Sequence, residues 1–195
     1  MPLWGTTHDS ATNKPKWAPT DENSDYKKGD IYDTQSGWVQ QAGTPASGND
    51  NADADPEVLV AIGGLAGADA STGLRAPTVT SMRFVQSAYA AGSRTITVEV
   101  TWDEGVTVAG TPQVVVANDS RADHTLSYTA TGSTANRKRF TAASQTVGED
   151  DVLTLGGTNI AANGGSISDT VVGGTTLAAS LVLSGLTAVT KTVTA

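Results

Sequence analysis

Residues 95–102 read TITVEVTW, and the alternation in this stretch decides the fold class. In an extended chain Ile96, Val98, Val100 and Trp102 project to one face and Thr95, Thr97, Glu99 and Thr101 to the other. The expectation is a half-buried strand, its apolar row in a core and its Thr/Glu row in solvent.

Working outward, the same Thr/Val texture runs from Ala76 to the C-terminus, broken by Gly, Asn and Asp at intervals of about ten residues. That is the pattern of short antiparallel strands in a sandwich or barrel, with no amphipathic helix of useful length. Residues 78–84 bring Val79 inward and then Met82 and Phe84, a change of phase that a bulge explains, with Phe84 expected near Trp102. Further strands are expected at 113–117, 126–131, 139–142, 152–155, 177–183 and 186–193. Asn163-Gly164 marks a tight turn with positive φ. About 120 residues with this many strands suffice for one two-sheet core that folds by itself.

The N-terminal part differs. Of 20 acidic and 12 basic residues, eleven acidic and five basic lie before Ala76, so most of the net charge of −8 belongs there. The first 55 residues are rich in Asn, Asp, Thr, Lys, Pro and Gly without apolar periodicity, a composition that cannot offset chain entropy unaided. Yet five of the ten aromatics, Trp4, Trp17, Tyr26, Tyr32 and Trp38, fall in the first 38 residues. Bulky anchors spaced along an extended arm point to docking on a partner, the other reading being an arm that packs back on its own domain. Residues 49–57 (NDNADADPE) read as a flexible acidic linker. The run 58–68 (VLVAIGGLAGA) reads as a buried strand ending at Gly63-Gly64, since adjacent glycines oppose a helix.

The inventory excludes several chemistries. Without cysteine there is no disulfide, thiol nucleophile or Cys-ligated metal, and His8 and His124 alone make a poor basis for a triad or a histidine metal site. Both histidines read as exposed polar residues. A pI near 4.5 argues against nucleic acid, whose phosphates need clustered Lys and Arg. Arg137-Lys138-Arg139, the one basic cluster, reads as edge-strand protection or a contact to an acidic neighbouring subunit. No run approaches the roughly 18–20 apolar residues of a membrane span, and the N-terminus MPLWGTTHDS is no secretory signal. Asp103-Glu104 and Glu149-Asp150-Asp151 are the best carboxylate clusters for calcium, as are Asp50, Asp53, Asp55 and Glu57 to a lesser degree. None has the spacing of a calcium loop, so solvated carboxylates are the expectation and no cofactor is implied. Gly63-Gly64-Leu65-Ala66-Gly67 lacks the spacing of a phosphate cradle.

Two resemblances sharpen this. APTVTSMRF from Ala76, SAYAAGSRTITVEVTWDEGVTVAGTPQVVV, and GEDDVLTLGGTNIAANGGSISD resemble a bacterial or phage immunoglobulin-like repeat of adhesins and virion proteins. The landmarks are Ala76 to Val79, Tyr89 to Gly92, Trp102 to Val106, Gly110 to Pro112 and Asn163 to Asp169; beyond Asp169 the chain departs from the pattern. MPLWGTTHDSATNKPKW, with GWV at Gly37 to Val39 and LVAIGGL at Leu59 to Leu65, is similar to the N-termini of small virion structural proteins of tailed phages, especially those of marine cyanobacteria.

Together these imply an all-β protein: an extended, mostly irregular arm over 1–75, then an immunoglobulin-like β-sandwich over 76–195. The implied role is a non-enzymatic virion component, foremost a capsid decoration or cement protein made in the host cytoplasm and carried on the capsid surface. Trp4, Trp17 and Trp38, helped by Tyr26 and Tyr32, would bury at seams of the major capsid protein shell, each stabilising by roughly 2 kcal/mol. Other virion proteins as partners, a homo-oligomer at a symmetry axis, a neck, tail or fibre position, and a glycan-binding adhesion module are the alternatives. No nucleic acid or membrane partner is expected.

Overall fold

The computed structural model describes residues 30–44, 47, 49–66, 76–169 and 176–195. Trp4, Trp17, Tyr26 and His8 therefore lie outside the described residues. Within them the protein is all-β, with no α-helix.

The main body holds β4 (Val79–Phe84), β5 (Tyr89–Ala90), β6 (Gly92–Trp102), β7 (Val106–Ala109), β8 (Gln113–Asn118), β9 (His124–Thr129), β10 (Arg137–Val147), β11 (Val152–Leu155), β12 (Ser166–Asp169) and β13 (Val189–Thr194). Eight of these form one sheet in the order β4-β6-β10-β9-β8-β11-β13-β5, antiparallel except for the parallel β13–β5 pair. Laid flat, its two edge strands would stand on the order of 34 Å apart. Only residues 85–88 join them, a link that reaches about 17 Å. The sheet must therefore curl until its ends approach, and its concave side becomes the core. β12 and β7 form a separate two-stranded piece.

The alternation of β6 places Ile96, Val98, Val100 and Trp102 in that core with no exposed surface, beside Phe84, Leu126, Phe140, Leu153 and Leu183. The Trp102 indole N–H donates to the Ser180 carbonyl at 2.9 Å, so its polar edge is satisfied in the core. The phase change in β4 is a register shift between Val79 and Ser81. Asn163 and Gly164 both have positive φ, 48° and 74°, as a primed turn requires.

Several elements differ from expectation. The Thr97, Glu99 and Thr101 row is buried rather than solvated: Arg83, Arg137 and Arg139 gather on Glu99, and Thr97 bonds to Thr141. Residues 177–183 form no strand. They run extended and bond in turn to several segments: Asp169 N–H to Leu177, Ala179 N–H to Ile167 and Ser180 N–H to Pro77. The final strand begins at Val189 instead of residue 186.

The N-terminal region is also more ordered than its composition suggests. β1 (Ile31–Thr34), β2 (Gly37–Gln40) and β3 (Glu57–Ala61) make an antiparallel sheet in that order. Gly37, at φ 123°, lies where any Cβ would strike the Val60 carbonyl, so the close β2–β3 approach requires glycine. Ile31, Trp38 and Leu65 form its small core, with Leu59, Val60 and Ile62 against them. The expected buried strand is thus a half-exposed edge strand, Val58 being 53% exposed. The acidic stretch before it folds into successive side-chain turns: Asn49 N–H donates to Ser47 Oγ, Asn51 N–H to Asn49 Oδ1 and Asp53 N–H to Asn51 Oδ1.

Candidate functional site

Where the small sheet meets the main one, the structure holds a polar cleft of about 780 Å³. Its floor is built by register. Glu99 on β6 pairs directly with Arg83 on β4 to one side and Arg139 on β10 to the other. Arg83 Nε donates to Glu99 Oε2 at 2.6 Å, Arg139 Nε to Oε1 at 2.8 Å, and Arg137 Nη1 lies 3.7 Å from Oε2. Burial alone would raise the Glu99 pKa, but attraction to Arg137 and Arg83 and hydrogen bonds from Arg139 and Arg83 outweigh it and hold the carboxyl below its usual range. Arg137 also pairs with Asp30, the residue preceding β1, and both are buried. A backbone bond from Asp33 N–H to the Asp103 carbonyl, 2.9 Å, adds a second link between the sheets.

β10 is an interior strand, flanked by β6 and β9, so its three basic residues do not guard an edge. Arg137 and Lys138 are each only 8% exposed. Lys138 Nζ donates to the Thr134 carbonyl at 2.7 Å, and burial pulls its pKa down to about 8.

Tyr32 and Trp38, expected as anchors for a partner, are spent inside the chain at 4% and 1% exposure. Trp38 sits on the central strand of its sheet, where its ring packs in a small apolar core with Ile31 and Leu65. Burial raises the Tyr32 hydroxyl pKa to about 12.

The two carboxylate clusters separate into different environments. Asp103 Oδ1 accepts Thr78 N–H at 2.6 Å. Glu104 is 3% exposed, and burial, with the charges of Asp103 and Asp169 nearby, raises its pKa to about 8. Asp151 turns inward and accepts from Gly148 N–H, Asn118 Nδ2 and Arg121 Nε, which hold its carboxyl below the usual range. Glu149 and Asp150 stay exposed on a turn. Among the described residues no group of three or more His, Cys, Asp or Glu side chains is arranged to hold a metal ion.

Sequence reading missed a second polar network. His124 is 4% exposed, not a surface residue. Asn118 Oδ1 accepts the Ser120 and Arg121 N–H groups, which fixes its amide, so Nδ2 faces both Asp151 and His124 Nε2. That assigns the imidazole proton to Nδ1, which donates to Gln145 Oε1 at 3.0 Å. Gln145 gets there through a bulge between Ala142 and Gln145, where Ser144 has φ 55°.

Comparison of the chain with protein-family models, with curated proteins and with solved structures finds no match.

Proposed function

We propose that the protein is a structural component of a tailed-phage particle, foremost a capsid decoration protein, in which the β-body is displayed and residues 1–29 attach to the shell. The observation that carries this reading is the fixed root of that segment. Asp30 is pinned to Arg137 and Asp33 to Asp103, so residue 30, to which the segment carrying Trp4, Trp17 and Tyr26 is joined, is held at a defined point on a folded body. With Tyr32 and Trp38 committed to the small sheet, those three aromatics are the anchors left for a partner.

The strand order supports the body's part in this. Divided between β9 and β8, it gives β4-β6-β10-β9 and β8-β11-β13-β5, the sequence in which an immunoglobulin-like sandwich arranges strands A-B-E-D in one sheet and C-F-G in the other. Around the buried Glu99 the half-buried Arg83 and Arg139 pair with its carboxylate, as in a scaffold. Repetition over a shell adds avidity, so modest affinity per copy suffices.

The test is particle association of the full chain and of a variant lacking residues 1–29. Loss of association with the β-sheet signal intact is expected, and retained association overturns the proposal. Copy number then locates it: on the order of hundreds for the shell, about six or twelve for neck or tail.

A further inference from the structure

The cleft between the small sheet and the main one, which the Asp30–Arg137 pair also lines, has the chemistry of a ligand site. Of its charged lining residues four are cationic, Arg83, Arg137, Lys138 and Arg139, and three anionic, in a protein whose net charge is −8. Arg83 and Arg139 side chains keep 24% and 31% of their surface exposed, so pairing with Glu99 does not enclose either one. Among the described residues Glu99 is the sole carboxylate that either pairs with.

A second observation points the same way. Three lining residues each keep a buried polar atom without a hydrogen-bond partner: Gln41 Oε1, Thr134 Oγ1 and Nε of the 8% exposed Arg137. Buried polar groups are almost always satisfied, so a wall containing an acceptor, a hydroxyl and a guanidinium N–H left over lacks part of its complement. The rest of the lining is small or hydroxylated, with Ala, Gly, Ser and Thr predominating and Tyr128 the one large ring. A peptide that binds through apolar side chains finds no pocket here. A compact ligand dense in hydroxyls does, provided that it brings a negative charge for the arginines.

We propose that this cleft binds an acidic sugar: the carboxylate pairs with Arg139 and Arg83, the ring hydroxyls bond to the Thr134, Ser133 and Gln41 side of the wall, and Tyr128 borders the ring. The inference stands independently of where the protein resides, because it rests on the cleft alone.

The test is calorimetric titration of the full chain with a glucuronate tetrasaccharide, and with a neutral glucose tetrasaccharide and a glutamate tetrapeptide as controls. The acidic sugar binds with Kd of about 1 mM or tighter and weakens with added salt, while both controls bind at least about tenfold more weakly. Arg139→Gln lowers affinity by about tenfold. Asp53→Asn, which removes an exposed carboxylate at the rim and keeps the Asp53 N–H bond to Asn51, raises affinity by about twofold and guards against a folding artefact in the first variant. Absence of binding at about 10 mM, equal binding of the peptide, or an affinity that neither substitution moves overturns the proposal.

Discussion

Glu104 is the residue whose chemistry departs furthest from its sequence context. Its carboxyl is buried near Asp103 and Asp169, one of its oxygens has no hydrogen-bond partner, and its pKa rises to about 8 in the folded protein. An acid with a raised folded pKa binds more protons folded than unfolded between about 4.5 and about 8, so its contribution favours folding at low pH and is lost as pH rises through that window. Glu104→Gln removes the titration and supplies an N–H for a neighbouring carboxylate. We expect little change near pH 4.5 and a gain of about 1–2 kcal/mol at pH 8, read from urea denaturation across pH. A uniform gain or loss at all pH values would show that Glu104 does not titrate in this range. Nothing in TWDEGV distinguishes Glu104 from Asp103, since the difference lies in what the fold brings over each. Glu99 was hidden in the same way. Alternation placed it on the face opposite Trp102, correctly, but its partners Arg83 and Arg139 lie 16 and 40 residues away and are joined to it only by strand register.

At the scale of elements, long alternating stretches were legible and short ones were not. β6 and its bulged neighbour β4 declare themselves because six to eleven residues are enough to display a period of two. β1 and β2 have four residues each, IYDT and GWVQ, separated by two, and a period cannot be read from so few inside a polar segment. Trp38 reads as an anchor for a partner because nothing local shows that β3, some twenty residues on, packs Leu59 and Val60 against its cluster. Residues 177–183 are the converse case: apolar enough for a strand, but used as an extended filler whose backbone bonds are divided among several segments. The small sheet depends on Trp38, since among the described residues its core otherwise holds only Ile31 and Leu65 fully buried. Trp38→Ala removes about 3–5 kcal/mol from that core, more than so small a unit can lose and stay ordered. Hydrogen exchange should then show residues 31–61 unprotected while β6, β8 and β10 retain protection. Equal loss in both sheets would mean that they unfold as one unit.

Among the described residues a small N-terminal sheet is joined to the body, made of the curled eight-stranded sheet and the β7–β12 piece, by a few specific links, of which the Asp30–Arg137 pair is the most buried. Buried ion pairs contribute little net stability against an apolar replacement, but breaking one by removing a single partner is costly, because the remaining charge stays desolvated. Arg137→Met leaves the carboxylate of Asp30, 2% exposed, without its cation, and Glu99 keeps Arg83 and Arg139. The single variant should lose about 3–5 kcal/mol of docking between the sheets. Adding Asp30→Leu removes the stranded charge and should restore most of that loss, although the double variant has no ion pair at all. A double-mutant cycle by urea denaturation, with proteolysis after residue 30 as a second readout of docking, measures the coupling. If the two losses simply add, the pair is a surface-like contact that does not hold the sheets together. A coupling of about 2 kcal/mol or more would instead make Asp30–Arg137 the joint that fixes where residues 1–29 emerge, and disrupting it should weaken particle association without altering a residue of that segment.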